Sequence, residues 1–185
     1  MKQSESRKCD TTSCDPVANG LLYVDQYELT MAQLYFRTGM GEADAQFDYF
    51  YRSNPSYDGH QAGYCINAGL AWFLEWMRWV RASDRDIDAL AAQTGRSGDP
   101  IFGHDFLDWL QEQDGFRQLR VRAIPEGRVV HPGEVLLTVE GPLALAQLVE
   151  TALLNQLNYQ TLIATKAARV RQAAAGAPVL DFGAR

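Results

Sequence analysis

The sequence predicts a mixed α/β protein in which helices and strands alternate along the chain. Segments with helical spacing of apolar residues alternate with short segments rich in β-branched and aromatic residues. Gly- and Pro-containing turns separate these segments. Of the 185 residues, 46% are apolar and 22% are charged, as in a folded globular protein.

The first third of the chain predicts a helix followed by a strand. Apolar spacing predicts a helix over residues 25–38, with Gly39 as its C-terminal stop. Alternating aromatic residues predict a strand over residues 45–52. The segment SNPSYDG that follows has the composition of a turn.

The middle third predicts three helices. Leu70, Phe73, Leu74, Met77 and Val80 have the spacing of one buried helical face. Ser83 and Asp86 are spaced as a capping pair and predict a short helix that runs to Leu90. After the loop RSGDP, the apolar spacing around Phe106 and Leu110 predicts another short helix.

The last third predicts two strands, a long helix and a final strand. The strands cover residues 119–123 and 135–139, with a Pro- and Gly-rich turn between them. Residues 143–175 contain neither Gly nor Pro and predict a helix, with a break at the polar segment 155–160. Residues 179–182 predict the last strand.

Charge and hydropathy exclude several classes of partner. The net charge is −6 and no basic stripe is present, so nucleic acid is not expected as a partner. The least charged stretch, residues 151–165, is too short and too polar to span a membrane. Residues 1–20 lack the apolar core of a secretion signal and predict a disordered leader.

The three cysteines, Cys9, Cys14 and Cys65, are too few and odd in number for a disulfide framework. A reducing cytoplasm is therefore the expected location. Cys9 and Cys14 have no second Cys/His pair at ligand spacing, so no metal site is predicted.

Familiar catalytic motifs are absent from the sequence, which has no GxGxxG, GxxxxGK[ST], HExxH or GxSxG. His60, His104 and His131 lie in turn-rich segments, where solvated loop histidines are expected.

Two groups near the end of the chain have chemistry suited to a ligand. Lys166, Arg169 and Arg171 would complement a helix dipole or contact phosphate, and both interpretations stay open. In DFGAR, Phe182 can stack on a heterocycle and Arg185 can clamp a phosphate or carboxylate. The alternative for that pair is a core phenylalanine and a surface arginine.

Four ordered segments resemble the nicotinate phosphoribosyltransferase family. They are VDQYELTMAQLYF, FDYFYRSNP, the block from AIPEG through GPLALAQLVETALLNQLNYQTLIATKAARVR, and LDFGAR. The resemblance covers residues 21–185. It implies formation of nicotinate mononucleotide from nicotinate and phosphoribosyl pyrophosphate, coupled to ATP hydrolysis and with Mg²⁺, in NAD salvage.

The resemblance also implies a domain organisation. Residues 1–20 would be the leader, 21–142 an N-terminal α/β domain, and 143–185 the first helix and strand of an irregular α/β barrel. Family members continue well beyond Arg185, so the barrel is expected to be incomplete here. Members work as homodimers with shared sites, and a separate chain carrying the missing barrel is the alternative partner.

Five residues match positions that bind substrate in the family. Tyr27 and Phe182 match the aromatic faces on either side of the pyridine ring, Tyr27 reaching it from the partner subunit. Arg52 matches a basic residue that reaches phosphate across the dimer, Arg185 matches an arginine near the nicotinate and ribose phosphates, and Gly183 matches a position of close packing at the strand end. The phosphorylated histidine and acidic residues of the family lie beyond Arg185, so no catalytic residue is assigned.

Several alternatives remain open at this point. The isolated chain is expected to lack useful catalytic activity. A non-catalytic dimerisation or ligand-binding remnant is one alternative function. Nicotinamide phosphoribosyltransferase shares the DFG-x-R pattern and, with quinolinate phosphoribosyltransferase, is another alternative; FYRSNP and the ETALLN block favour nicotinate.

Overall fold

The structure, a computed structural model, describes residues 20–182. Its helices are α1 (Gln26–Arg37), α2 (Leu70–Trp79), α3 (Asp84–Ala91), α4 (His104–Glu112), α5 (Leu143–Gln147) and α6 (Glu150–Ala173). Its strands are β1 (Asp44–Tyr49), β2 (Ser56–Tyr57), β3 (His60–Gln61), β4 (Cys65–Ile66), β5 (Arg120–Ala123), β6 (Val129–Val130) and β7 (Leu137–Pro142). The mixed α/β class is confirmed.

A three-stranded antiparallel sheet lies at the centre of the described region, in the order β1-β7-β5. Val139 of the middle strand lies opposite Phe47 on one side and Val121 on the other. The β2–β3 hairpin and the β4–β6 pair form two further sheets. Sequence patterning did not predict β6, because a two-residue strand carries no usable alternation.

One hydrophobic core joins the helices to this sheet. Its largest fully buried side chains include Phe73, Phe102, Phe106, Leu137 and Leu157. Because the core includes residues before and after position 142, both predicted domains contribute to it. The boundary at 142/143 itself stays a prediction, and most of the predicted leader lies outside the described residues.

Two helix boundaries were predicted correctly from local chemistry. The helix α1 ends at Arg37, and Gly39 follows in the left-handed region at φ +72°. At α3, the Ser83 hydroxyl accepts from the Asp86 N–H and the Asp86 carboxylate accepts from the Ser83 N–H. Asp thus completes a capping box that usually contains Glu or Gln.

The predicted helix break at residues 155–160 is wrong. The chain breaks instead between the end of α5 at Gln147 and the start of α6 at Glu150. The polar residues of α6 bind neighbouring elements: Asn158 accepts from the Tyr49 hydroxyl at 2.8 Å. Thr161 and Thr165 accept from the backbone N–H groups of Ala68 and Ile66 at 3.1 and 2.9 Å.

A close crossing brings α2 against α6. Gly69, directly before α2, has φ +104°, and a Cβ there would lie 2.5 Å from the Gln156 carbonyl oxygen. Glycine meets both requirements because it tolerates positive φ and has no Cβ. This crossing fixes the first half of α6 against the rest of the core.

The predicted strand over residues 179–182 is also wrong. Leu180 and Phe182 are 77% and 86% exposed, and no residue of this segment pairs with a strand in the described region. A strand depends on hydrogen bonds to a neighbour, which propensity alone does not supply. Across residues 20–182, no helix is both long and apolar enough to cross a membrane.

Candidate functional site

The first turns of α1 and α6 are joined by a buried carboxylate. Oε1 of Glu28 accepts from the Thr151 N–H at 3.1 Å and from the Thr151 hydroxyl. The Thr151 hydroxyl in turn accepts from the Asp25 N–H at 3.3 Å. We call this set of contacts, formed by Asp25, Glu28 and Thr151, the α1–α6 clasp.

The clasp supplies a cap that the sequence next to α6 lacks. The N-cap of α6 is Val149, which has no side-chain acceptor, and the first N–H groups of a helix have no partner within the helix. Glu28 therefore satisfies the Thr151 N–H from a residue 123 positions earlier in the chain. A side-chain acceptor at this position stabilises a helix by about 1 kcal/mol.

Glu28 is fully buried and has an unusual ionisation. Its Oε2 atom has no hydrogen-bond partner. Burial raises the pKa of Glu28 from 4.5 to about 7, against the lowering effect of the Thr151 hydrogen bond; the charges of Glu150 and Asp25 raise it further. This carboxyl group consequently titrates near neutrality.

Tyr27 lies in the same turn of α1, and its side chain is 46% exposed. Desolvation raises the pKa of its hydroxyl above the ordinary value, followed by the hydrogen bond with Glu150 and the charge of that carboxylate. Gln147 donates to Oε2 of Glu150 at 3.0 Å. Tyr27 is thus an exposed ring whose hydroxyl is influenced by a carboxylate at the start of α6.

Arg52 lines a cavity of about 440 Å³ between β1 and the α5–α6 corner. The cavity walls also contain Phe47, Phe50, Leu154 and Glu150. This combination offers apolar faces to a flat molecule and one cation to an anionic group. Glu150, which lines this cavity with Arg52, also raises the pKa of the Tyr27 hydroxyl, so one carboxylate connects the surroundings of the two predicted residues.

The structure does not bring Phe182 to this surface. Tyr27 lies at the start of α6, whereas Phe182 follows its end, and a helix of 24 residues is about 36 Å long. No ring contact between Phe182 and Tyr27 occurs among the residues the structure describes. Gly183 and Arg185 lie outside the described residues.

The three cations near the end of α6 do not form one cluster of equivalent groups. Lys166 is exposed. The guanidinium of Arg169 lies 5.5 Å from the centre of the Tyr57 ring, and Arg171 donates to the Ala177 carbonyl at 2.7 Å. Arg171 thus contacts the turn that follows the helix, and Arg169 lies over a ring of the β2–β3 hairpin.

The histidines remain without an assigned role. His60, His104 and His131 are all exposed, as predicted for solvated loop residues, although His104 opens α4. No group of three or more His, Cys, Asp or Glu residues within positions 20–182 could hold a metal ion. Cys9 and Cys14 lie outside that range, and Cys65 is a buried free thiol.

Sequence reasoning missed Glu28, Glu150 and Thr151. A signal for Glu28 was available, because it lies on the same face of α1 as the buried Ala32. A carboxylate at a core position needs a hydrogen-bond partner. The sequence therefore predicts that Glu28 has a partner, but it does not identify the partner as Thr151. The role of Glu150 follows only from the fold.

The comparisons with known proteins identify the class to which this fold belongs. The model of the nicotinate phosphoribosyltransferase N-terminal domain matches residues 22–158. The chain is 41% identical over 167 residues to a nicotinate phosphoribosyltransferase of Mycobacterium tuberculosis, covering 90% of the chain and 33% of that protein. Its similarity to the enzyme of Caenorhabditis elegans is 38% over 165 residues, covering 89% and 28%.

A solved structure agrees with these matches. The crystal structure of human nicotinic acid phosphoribosyltransferase superposes with a TM-score of 0.68 at 37% identity, covering 84% of this chain and 29% of that one. The chain belongs to the nicotinate phosphoribosyltransferase family. It spans about a third or less of the length of these relatives.

Proposed function

We propose that the chain provides the N-terminal part of a nicotinate phosphoribosyltransferase. The reaction joins nicotinate to phosphoribosyl pyrophosphate, giving nicotinate mononucleotide for NAD salvage, with coupled ATP hydrolysis. The observation that carries the proposal is that Glu150 lines the cavity of Arg52 and also acts on the Tyr27 hydroxyl. Family membership supplies the reaction.

Each substrate-binding residue has a physical role in this proposal. The Tyr27 ring would cover one face of the pyridine ring and Phe182 the other, because a flat heterocycle gains contact area from two aromatic faces. Arg52 and Arg185 would bind oxyanions through rigid, permanently charged forks. Gly183 would allow close packing beside the ligand.

These residues position the reactants and stabilise charge as pyrophosphate leaves C1 of the ribose. ATP and Mg²⁺ belong to the proposal through the family reaction. We assign no described residue as a Mg²⁺ ligand, since no group of three potential ligands lies within residues 20–182. We likewise assign no described residue to the step in which ATP phosphorylates the histidine of the family.

The site would be completed by a second polypeptide surface. Because α6 separates Tyr27 from Phe182, the two rings fit one pyridine more readily when they come from different subunits of a homodimer. A separate chain carrying the remaining fold is the alternative partner. The reaction uses small metabolites, and the free Cys65 thiol fits a reducing cytoplasm.

A chimaera tests the proposal directly. This chain would replace the matching segment of the Mycobacterium tuberculosis relative, and nicotinate mononucleotide would be measured with nicotinate or nicotinamide as substrate. We expect turnover with nicotinate, a loss of about 100-fold in kcat/KM for Tyr27→Ala or Arg52→Ala, and no such loss for the exposed Trp79→Ala control. A folded chimaera without turnover would contradict the proposal, and a preference for nicotinamide would favour the alternative enzyme.

Mixing two inactive variants tests the shared site. Tyr27→Ala and Phe182→Ala chimaeras would be unfolded, mixed and refolded together. If the rings come from different subunits, random reassortment restores about a quarter of the wild-type sites. No recovery, with mixed dimers demonstrated, would place both rings in one subunit.

A further inference from the structure

The buried carboxyl group of Glu28 is not used by the proposed reaction, yet it lies next to the proposed ring-stacking residue. Glu28 and Tyr27 are neighbours in the first turn of α1, which begins at Gln26. Both act at successive positions of α6: Glu28 accepts from Thr151, and the Glu150 carboxylate raises the pKa of the Tyr27 hydroxyl. The Glu28 contact therefore ties this turn to the start of α6, where Glu150 acts on Tyr27.

We infer that Glu28 is a positioning residue for Tyr27, acting through the α1–α6 clasp. The inference rests on the proposed function, since it assigns Glu28 a role through the residue proposed to stack on nicotinate. Glu28 touches no substrate in this account. Its contribution is to hold the exposed Tyr27 ring at one orientation before a ligand arrives, which lowers the ordering cost of binding.

Two buried polar residues, Glu28 and Gln33, fasten α1 to its neighbours, and of these two only Glu28 can change its charge with pH. Gln33 is buried, donates to the Ile101 carbonyl at 3.0 Å and accepts from the Gly103 N–H at 2.7 Å. The second half of α1 is therefore fastened to the segment before α4 by uncharged groups. The first turn depends on a carboxyl group whose charge changes with pH.

The groups acting on Glu28 determine the direction of that change. Asp25 before α1 and Glu150 of α6 are the charged groups that shift its ionisation, and both are acidic. Ionised Glu28 is buried, repelled by both neighbours, and has one oxygen without a partner. Protonated Glu28 avoids the repulsion and keeps the acceptor for Thr151. The clasp should therefore hold Tyr27 more firmly below pH 7 than above it.

The conservative variant Glu28→Gln separates positioning from simple packing. Its amide oxygen can accept both Thr151 hydrogen bonds, and it does not titrate. Glu28→Ala removes the acceptor altogether. Glu126→Gln is a matched control, because Glu126 accepts from the Gly69 N–H at 2.6 Å and so caps α2 from a distant loop, away from Tyr27.

The test follows Tyr27 and Thr151 by NMR in the purified chain, without substrates, between pH 5 and 9. In the wild type we expect the Tyr27 ring and Thr151 amide signals to shift with a midpoint near pH 7, and in Glu126→Gln to do the same. Glu28→Gln should remove that shift. Glu28→Ala should also increase the exchange rate of the Thr151 amide by about tenfold, through loss of the cap.

Two results would overturn the inference. One is a Tyr27 signal whose chemical shift depends on pH in the same way in the wild type and in Glu28→Gln. The other is a Thr151 amide equally protected in Glu28→Gln and a folded Glu28→Ala. Because no substrate is present, either result leaves the proposed reaction standing, whereas an inactive chimaera with an intact titration would count against the reaction alone.

The same variants in the chimaera connect the clasp to binding. We expect the KM of the wild-type chimaera for nicotinate to rise above pH 7, and Glu28→Gln to remove that rise while changing kcat less than twofold. A parallel effect on kcat and KM at all pH values would show a general loss of folded protein and would contradict a positioning role.

Discussion

The first half of α6 packs against the core, whereas the part of the helix after Thr165, which we call its exposed half, has no buried residue. In its first half, Ala152, Leu153 and Leu157 are at most 6% exposed. From Lys166 to its end at Ala173, no residue of the helix is buried, and Leu180 and Phe182 beyond it are largely exposed. The comparison shows which candidate residues this chain positions by its own contacts: Tyr27 and Arg52 lie beside the packed half, and Phe182 follows the exposed half.

The largest difference in stability should appear between two glycines with positive φ. Gly69 packs against the first half of α6, and Gly176 lies beyond its end. Gly69→Ala would place a Cβ 2.5 Å from the Gln156 carbonyl oxygen in the left-handed region, lowering the free energy of unfolding by about 5 kcal/mol. Gly176→Ala, at φ +95° with no atom within 4 Å of the new Cβ, should cost only the backbone strain of about 1 kcal/mol. Urea unfolding followed by circular dichroism measures both, and equal losses would contradict the close crossing.

A pair of leucines compares side-chain burial directly. Leu157 is 1% exposed and Leu162 is 45% exposed, on the same helix. Leu157→Ala should lower the free energy of unfolding by about 4 kcal/mol, because it removes core contacts and leaves a cavity. Leu162→Ala should change it by less than about 0.5 kcal/mol. A Leu162 effect as large as that of Leu157 would show that the outer face of α6 is covered in solution.

The clasp gives the packed half a pH dependence. The pKa of Glu28 is raised from 4.5 to about 7 on folding, so between these values the folded chain binds more protons than the unfolded chain. The stability conferred by protonated Glu28 is complete below pH 4.5 and is lost as pH rises to about 7, by up to about 3 kcal/mol. The difference between wild type and Glu28→Gln in urea unfolding at pH 4.5 and 8 measures it. If the free energy of unfolding of the wild type instead increased relative to that of Glu28→Gln from pH 4.5 to pH 8, the raised pKa of Glu28 would be contradicted.

The smallest expected effect concerns one polar contact between β1 and α6. Tyr49→Phe removes the hydroxyl that donates to Asn158, and we expect a loss of about 1 kcal/mol in the free energy of unfolding. Tyr159→Phe, at a ring that is 62% exposed, serves as the control with no change beyond about 0.5 kcal/mol. If the two variants are equally stable, the Tyr49 hydrogen bond contributes nothing to the packed half.

The sequence predicted elements where one local rule decides them. The helix stop before Gly39 and the capping pair at Ser83 depend on neighbouring residues alone, and the structure confirms both. The break in α6 was misplaced because a polar segment does not by itself end a helix: Asn158, within that segment, accepts from the Tyr49 hydroxyl 109 positions earlier. Propensity predicted a strand over residues 179–182, but a strand forms only with a partner.

The candidate site was likewise predictable from the sequence only in part. The resemblance proposed Tyr27 and Arg52, and the fold then showed that Glu150 lines the cavity of Arg52 and acts on the Tyr27 hydroxyl. The clasp was not predictable from either segment, because Glu28 and Thr151 are 123 positions apart and neither belongs to a recognisable catalytic motif. Their roles as substrate-binding and positioning residues remain predictions.

The central proposal is that this chain supplies part of a nicotinate phosphoribosyltransferase site and that another protein surface supplies the rest. The most direct test is nicotinate mononucleotide formation by the purified 185-residue chain with nicotinate, phosphoribosyl pyrophosphate, ATP and Mg²⁺. An Arg185→Ala variant prepared identically controls for contaminating host enzyme. The account predicts no turnover above that control; robust turnover that disappears in Arg185→Ala would show that the chain completes the site by itself.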